Sequence, residues 1–385
     1  MAGLTLGEKV NVFFLKTLSK LVLNYKQNIK PSELRKGLIF CQMGIGNCVL
    51  FLPVINNLLQ KRDDFELVIL TNSKANQEIL RDQFREARII KMNFGKYSFL
   101  KKVKFYIKMR KEKFDFSIMN FLGQKKENIH LNIYCQIPYR IGNRVKEAGG
   151  RGKYDFIYNY STTILNKHEI DFNLDLIKPL LPNEEIIREP SFAINGHACQ
   201  KARNFLSGLQ NKKKIVLQVY SSFGIQKNWY GRYYVDLISR IKEKYDAAII
   251  LLGSSNEKDK IDSIFKDVDF DYYNVAGKFS IQETAAIIKF SDLFIGNDSG
   301  LGHISAALGQ YTFIIIGMTD PNRIRPIGKR IKIFYKELSC SPCDAIGKYP
   351  LYKNCPYDYK CMQKITPKQI YRILTEQKVL DHNKN

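Results

Sequence analysis

From Lys36 onward, short uninterrupted apolar runs alternate with longer stretches in which apolar side chains recur every three or four residues. The runs 37–40, 66–70, 87–90 and 116–119 read as strands covered on both faces, and 47–60, 74–85 and 97–112 as the helices between them. Strand, helix, strand repeated in this way predicts a parallel sheet with right-handed crossovers. Prolines and glycines then break the pattern between 120 and 190, and a domain junction is expected near 185–212. After Lys212–Lys214 the same grammar restarts. Strands are expected at 215–220, 248–252, 293–295 and 312–316, with helices near 231–245, 256–266, 281–290 and 301–308. Thr366-Pro-Lys-Gln369 combines an N-cap, a first-turn proline and a capping-box glutamine, which predicts a last helix over about 367–378.

Ahead of the first strand, residues 1–36 form a segment of their own. Val10, Phe13, Phe14, Leu18, Leu21, Val22 and Tyr25 repeat at helical spacing, with Lys9, Lys16, Lys20 and Lys26 over much of the remaining surface. Such a basic amphipathic helix docks on its own protein or lies in the interface of an anionic bilayer. The organisation expected is therefore a helix over 1–36, an α/β domain over 37–190, a second over 212–365, and a terminal helix and tail over 366–385. Two doubly wound domains in series are expected to face one another across a ligand-binding cleft.

Length and composition agree with this picture. At 385 residues, 45% hydrophobic and 25% charged, the chain fits a two-domain globular protein and excludes wholesale disorder. No apolar run reaches the 18 or so residues of a membrane-spanning helix, and the N-terminus lacks the basic leader and small-residue cleavage site of a secretory signal. A cytoplasmic location is expected. The 61 basic and 37 acidic side chains leave a net charge of +24, which draws in polyanions. No recognised DNA- or RNA-binding module accompanies that charge, so nucleic acid is not the expected partner.

Two glycine-bearing turns carry candidate chemistry. Gly44-Ile-Gly46-Asn47 follows a strand and opens a helix, where backbone can approach a ligand at the helix's positive end. It lacks the third glycine of a dinucleotide fingerprint, and a plain tight turn is the alternative. Gly296-Asn-Asp-Ser-Gly-Leu-Gly-His303, continuing to Gly309, says more. Ser299, Gly300, Leu301 and Gly302 would offer free N–H groups to an anionic diphosphate, and Asp298 beside them suits a sugar hydroxyl better than a phosphate. The bland alternative is a helix N-cap followed by close packing of Ala306, Ala307 and Gly309.

This string, with Asp298, Ser299, Gly300 and His303 in place, resembles the signature of glycosyltransferase family 9, the lipopolysaccharide heptosyltransferases. Lys227 and Trp229 resemble the family's Lys-x-Trp, Gly253 to Glu257 its Gly-x-x-x-Glu, and Ala276-Gly277-Lys278 precedes the last helix pair as it does there. Gly44-x-Gly46 with Pro53, and His168 with Asn173-Leu174, agree more loosely. The resemblance implies a GT-B fold and an inverting, metal-independent transfer from a nucleotide diphosphate donor, typically ADP-heptose, to a lipid-linked saccharide of the lipopolysaccharide or lipooligosaccharide core. It implies that Lys227 meets the donor phosphates, Glu257 the ribose and Asp298 the donor sugar, with Ser299, Gly300 and His303 lining the phosphate pocket, and that no cofactor is needed for catalysis. The family's aspartate after the first strand, placed as the base, is Asn47 here. Either another carboxylate such as Glu147, Asp155 or Glu169 takes the proton, or the acceptor is unusual, or turnover is slow. A non-catalytic nucleotide-sugar-binding or assembly module is the alternative that Asn47 favours.

Two further features stand apart. Cys340, Cys343, Cys355 and Cys361 lie within one short stretch and suit structural zinc or iron, with free thiols or disulfides as alternatives. The segment Lys96–Lys113 interleaves eight basic side chains with Tyr97, Phe99, Phe105, Tyr106 and Ile107. It is either a solvated helix face or a docking face for lipid phosphates, which would place the protein peripherally at the inner face of the inner membrane.

Overall fold

The structure is a computed structural model and describes residues 5–23, 30–144, 151–164, 167–221, 224–343 and 355–381, so Tyr25, Lys26 and Glu147 lie outside the described residues. The chain divides into two compact units, Met1–Arg188 and Glu189–Asn385.

The first unit runs α1 (Leu6–Val22), β1 (Lys36–Phe40), α2 (Ile45–Lys61), β2 (Glu66–Thr71), α3 (Lys74–Gln83), β3 (Arg88–Lys91) and α4 (Phe99–Lys111). It continues through β4 (Phe116–Met119), α5 (Lys126–Tyr134), β5 (Tyr139–Arg144), β6 (Tyr160–Thr163) and α6 (Glu169–Leu174). Its six strands are all parallel, in the order β3-β2-β1-β4-β5-β6. That is the doubly wound order, and its switch point lies between β1 and β4. The strands expected at 37–40, 66–70, 87–90 and 116–119 are present within a residue or so. β5 and β6 fall in the stretch where the pattern is broken.

The second unit repeats the plan. It contains α7 (Gly196–Leu206), β7 (Lys213–Gln218), α8 (Gly231–Lys244), β8 (Ala247–Leu251), α9 (Lys258–Phe265), β9 (Tyr272–Asn274), α10 (Ile281–Lys289) and β10 (Leu293–Asn297). After these come α11 (Gly300–Ala307), β11 (Thr312–Ile316), α12 (Pro321–Ile324), β12 (Ile331–Tyr335), α13 (Lys360–Gln363) and α14 (Pro367–Glu376). The order β12-β11-β10-β7-β8-β9 is again doubly wound and all-parallel, with its switch point between β7 and β10. The last helix begins as expected, with the Thr366 side chain accepting from Gln369 N, and it stops short of Lys378, whose φ is +51°.

Both faces of the second sheet are covered, which is why its strands read as unbroken apolar runs. Ile215, Leu217, Ile249, Leu251, Leu293 and Ile295 pack into one core with Tyr234 and Leu374, while Val216, Ile250, Phe294 and Ile314 pack into another with Ala202 and Ile287. The two units also fix their central strands alike. Asp115 Oδ2 accepts from the backbone N–H groups of Arg35 and Lys36 at the start of β1, and Asp292 Oδ2 accepts from Lys214 N in β7. A half-buried carboxylate at the entrance to the fourth strand of each unit thereby ties that strand to the first.

Helix α1 starts with a capping box between Thr5 and Glu8 and packs against α5 of the first unit. The sequence suggests one apolar stripe, and the structure shows two. Val12, Leu15 and Leu23 are buried in the first unit's core, with Leu18 and Val22 packed beside them, whereas Val10, Phe13, Phe14 and Leu21 remain exposed. Leu15→Ala is therefore expected to destabilise the first unit by about 2–5 kcal/mol, whereas Phe14→Ala should fall within about 0.5 kcal/mol of wild type. Urea unfolding followed by circular dichroism checks both; equal effects would mean that α1 is not docked through Leu15.

Candidate active site

In the second unit, the loops that leave β7 and β10 flank the switch point, and they bring together the charged residues the sequence singles out. Lys227, in a 3-10 turn after β7, places its Nζ 2.6 Å from Asp298 Oδ2, directly after β10. Both are largely buried, with side-chain exposures of 13% and 4%, so the pair is far less screened than a surface ion pair. Thr319 Oγ1, on the loop after β11, donates to the same carboxylate oxygen at 2.8 Å. Burial alone would raise the Asp298 carboxyl. The Lys227 ammonium, with smaller help from His303 and Thr319, outweighs that and holds it below its ordinary value.

The neighbouring Asn297 builds the support. Fully buried, it accepts from Trp229 N at 2.9 Å and from the Tyr234 hydroxyl at 3.1 Å, and it donates to the Val219 carbonyl at 3.1 Å. Trp229 in turn donates through its indole nitrogen to Ile365 O at 2.8 Å. The Lys-x-Trp spacing thus has a mechanical reason: the tryptophan ties the loop to Asn297 and the core, and the lysine two residues earlier is carried to Asp298. Sequence reasoning overlooks Asn297, Thr319 and Gln218, which hydrogen-bonds Ser299 Oγ. A polar side chain ending an otherwise apolar strand, as Gln218 and Asn297 do, is the signal that could have found two of them.

Ser299 is the N-cap of α11 but makes no side-chain capping bond, so the first-turn N–H groups at Gly300, Leu301 and Gly302 are not capped by it. The glycine at 302 is demanded by packing, because a Cβ there would stand 2.5 Å from Ile314 Cδ1. His303 is buried in the same turn of helix. The Glu257 carboxylate closes a capping box with Ser254, accepting from Ser254 N at 2.7 Å. Gly277, at φ +74°, presses against Ser255, where a Cβ would approach within 2.7 Å. The loops after β8 and β9 are thereby locked together.

In the first unit, Gly44 caps α2 and Asn47 sits in that helix's first turn. Asn47 Nδ2 donates to Glu169 Oε1 at 2.6 Å. Glu169 is fully buried at the start of α6, whose N-cap His168 accepts from Ile170 N. Of the two described carboxylates suggested as substitutes for the missing aspartate, Asp155 and Glu169, it is Glu169 that hydrogen-bonds Asn47. Asp155 is half-buried in a different setting and is raised to about 6, by burial first, against the Arg144 guanidinium. Around the carboxyl ends of β1, β4 and β5 the surroundings are amide-rich. Asn128 Nδ2 donates to Gln42 Oε1 and Gly123 O, Asn143 Nδ2 to Thr162 Oγ1, and Asn120 caps the turn after β4.

Among the described residues no group of three or more His, Cys, Asp or Glu side chains is placed to hold a metal ion. Cys343 Sγ approaches the Cys340 carbonyl at 3.0 Å, and Cys361 is drawn into the second unit's core, where burial pushes its thiol up to about 11. Cys343, Cys355 and Cys340 add smaller upward contributions to the Cys361 thiol, so the four cysteines stand near one another.

These features meet in a known pattern. A family model for glycosyltransferase family 9 (heptosyltransferase) matches residues 105–350, more than half of the chain. The protein belongs to glycosyltransferase family 9. Lipooligosaccharide heptosyltransferase 2 of Campylobacter jejuni is 30% identical over 167 residues, covering 42% of this chain and 50% of the relative. Lipopolysaccharide heptosyltransferase 3 of Escherichia coli is 24% identical over 298 residues, covering 75% and 85%. The chain spans about half the length of the first curated relatives it matches. In fold it is similar to ADP-heptose lipopolysaccharide heptosyltransferase II of E. coli, with a TM-score of 0.70 at 16% identity, covering 90% of this chain and 99% of that one. The two doubly wound units are those of the GT-B fold expected from the sequence.

The Lys227–Asp298 pair has a signature in acid. A carboxylate whose folded value lies below the unfolded value, near 3.9, adds stability at neutral pH. That contribution is fully present above the unfolded value and is lost as pH falls through the folded one. Urea midpoints of the second unit should therefore drop on acidification below about pH 4, and Asp298→Asn should reduce the slope. An unchanged slope would show that the pair contributes nothing to folding.

Proposed function

We propose that this family 9 member is a cytoplasmic glycosyltransferase that moves a heptose from ADP-heptose onto a lipid-linked saccharide of the lipopolysaccharide or lipooligosaccharide core, with inversion and without a metal, at the inner face of the inner membrane. The observation that carries the reading is the buried Lys227–Asp298–Thr319 cluster beside the uncapped first turn of α11, at the switch point of the second unit. A leaving nucleoside diphosphate accumulates negative charge as the bond from the sugar's C1 to the phosphate oxygen breaks. The Lys227 ammonium and the N–H groups of Gly300, Leu301 and Gly302 are the groups suited to receive it. With these cationic and dipolar donors in place, a divalent ion is not required for charge balance. Asp298 serves the hydroxyls of the donor sugar, and Glu257, released from its cap on Ser254, serves the ribose.

The acceptor hydroxyl must lose a proton as its oxygen bonds to C1. An amide has no free carboxylate to take that proton, but Asn47 donates to one. In this reading Asn47 Oδ1 accepts a hydrogen bond from the acceptor hydroxyl and orients it, and the hydroxyl proton passes to the Glu169 carboxylate as the oxygen bonds to C1. The proton thus ends on Glu169, and the electron pair of the broken bond leaves with the diphosphate. Asn47 is the group that orients the acceptor, and Glu169 is the carboxylate that takes its proton.

Two experiments test this. The purified full chain, given ADP-heptose and a lipid-linked core acceptor lacking heptose, should transfer sugar, and Lys227→Met should lower kcat by about 10²–10³-fold. Donor binding without transfer would favour the non-catalytic module, and no donor binding would defeat the proposal. Glu169→Gln should lower kcat by about 10²–10⁴-fold with donor affinity by calorimetry unchanged, and Asn47→Asp in the Glu169→Gln background should restore turnover. If Glu169→Gln retains wild-type kcat, the proton does not pass through this pair.

A further inference from the structure

Among the described residues, twelve large apolar side chains are exposed, and nine of them lie on α1, α4 and α5 of the first unit, with α5 packing against both α1 and α4. That concentration needs an explanation, since scattered exposed apolar residues are ordinary but clustered ones mark an interaction surface. On α1 the exposed residues Leu6, Val10, Phe13, Phe14 and Leu21 follow helical spacing and form a stripe separate from the buried Val12 and Leu15. On α4 they are Phe99, Leu100 and Ile107. Exposed lysines are interleaved with both sets: Lys9, Lys16 and Lys20 on α1, and Lys101, Lys104 and Lys108 on α4. Between the three helices lies a cavity of about 360 Å³, walled by apolar side chains including Leu18, Val22, Tyr106 and Ile133, with Arg110 and His130 as its basic members.

We propose that this face is an insertion surface for an anionic phospholipid bilayer and that the cavity takes one acyl chain of a lipid whose phosphate lies against Arg110. The proposal rests on the reading of a membrane-peripheral enzyme and assigns that attachment to particular residues. The chemistry fits a bilayer better than another protein. Aromatic and aliphatic side chains flanked by flexible lysines match an apolar interior below a layer of negative headgroups. No helix among the described residues is long and apolar enough to cross a membrane, so the attachment proposed is interfacial. At roughly 27 Å³ per methylene, a cavity of this size accommodates a substantial part of one chain but not a second, by the packing density of protein interiors.

The test uses the full chain with vesicles of phosphatidylethanolamine and phosphatidylglycerol, and separately with monomeric lysophosphatidylglycerol. Wild type should sediment with the anionic vesicles, lose binding as salt is raised, and bind phosphatidylcholine vesicles much more weakly. Phe13→Ser/Phe14→Ser and Phe99→Ser/Leu100→Ser should each lower the partition coefficient by about tenfold or more. Leu18→Trp, which fills the cavity, should weaken lysophosphatidylglycerol binding by a similar factor. ADP-heptose affinity, measured on the same preparations, should not change in any variant. It reports on the second unit, so loss of donor binding would count against the glycosyltransferase reading while leaving the membrane surface to be judged on the vesicle data. Wild-type partitioning by the serine variants, equal binding to neutral vesicles, or a wild-type dimer that the serine variants convert to monomer would each overturn the proposal. Unchanged lysophosphatidylglycerol binding by Leu18→Trp would overturn the acyl-chain site.

Discussion

The second unit is organised around one contact, the ammonium of Lys227 against the carboxylate of Asp298 in nearly complete burial. Neither charge could be left there alone, because an unpaired ion in such a setting costs several kcal/mol. The surrounding structure follows from that need. Trp229 and Asn297 hold the two loops at the carboxyl ends of β7 and β10, and Thr319 occupies a further lone pair of Asp298. A doubly wound sheet supplies the place, since its chain diverges to opposite faces at this point and opens a crevice for the loops. In the function proposed above, an arriving diphosphate would compete for the lysine and a sugar hydroxyl would replace it on the carboxylate.

The first unit places a different pair after its own first strand. Asn47 and Glu169 are joined by a charge-assisted hydrogen bond from an amide to a carboxylate, where the family resemblance leads one to expect a carboxylate alone. The negative charge has been set back behind a neutral group. The fold tolerates this because α6 presents Glu169 beside the first turn of α2, an approach reflected in the packing of the two helices.

How much of this can be read from the chain follows from where each residue sits. Strands covered on both faces, such as β8 and β11, are continuous apolar runs and are legible. The strands that escape are edge strands or carry buried polar groups. β6, Tyr160-Ser-Thr-Thr163, is half-exposed throughout, and β9 and β12 border the second sheet with mixed side chains. β5 contains Arg140, which is buried and donates to the carbonyls of Ile137, Pro138 and Ile157, an arrangement that no periodicity announces. At the site, the charged members were legible because their spacing is distinctive. Thr319 was not, because it reaches Asp298 from a loop distant in sequence, and Glu169 was legible only as one of three candidates, without its partner Asn47. The four cysteines are legible as a group by their spacing, whereas the packing of Cys361 into the core is not.

Charge distribution separates the two tasks the chain performs in this reading. The net charge of +24 is not concentrated at the Lys227 cluster, where lysine and aspartate nearly cancel and the remaining positive potential comes from backbone N–H groups. Such a site can bind a diphosphate specifically without becoming a general polyanion trap, because its donors are fixed in direction and few in number. Much of the excess positive charge stands instead on exposed helical surface, as along α4, where long flexible lysines respond to any negative plane within a Debye length. A fixed, nearly neutral pocket and a diffuse cationic face are different electrostatic devices, and placing them in different units lets the chain concentrate near an anionic surface without weakening its discrimination among phosphorylated ligands.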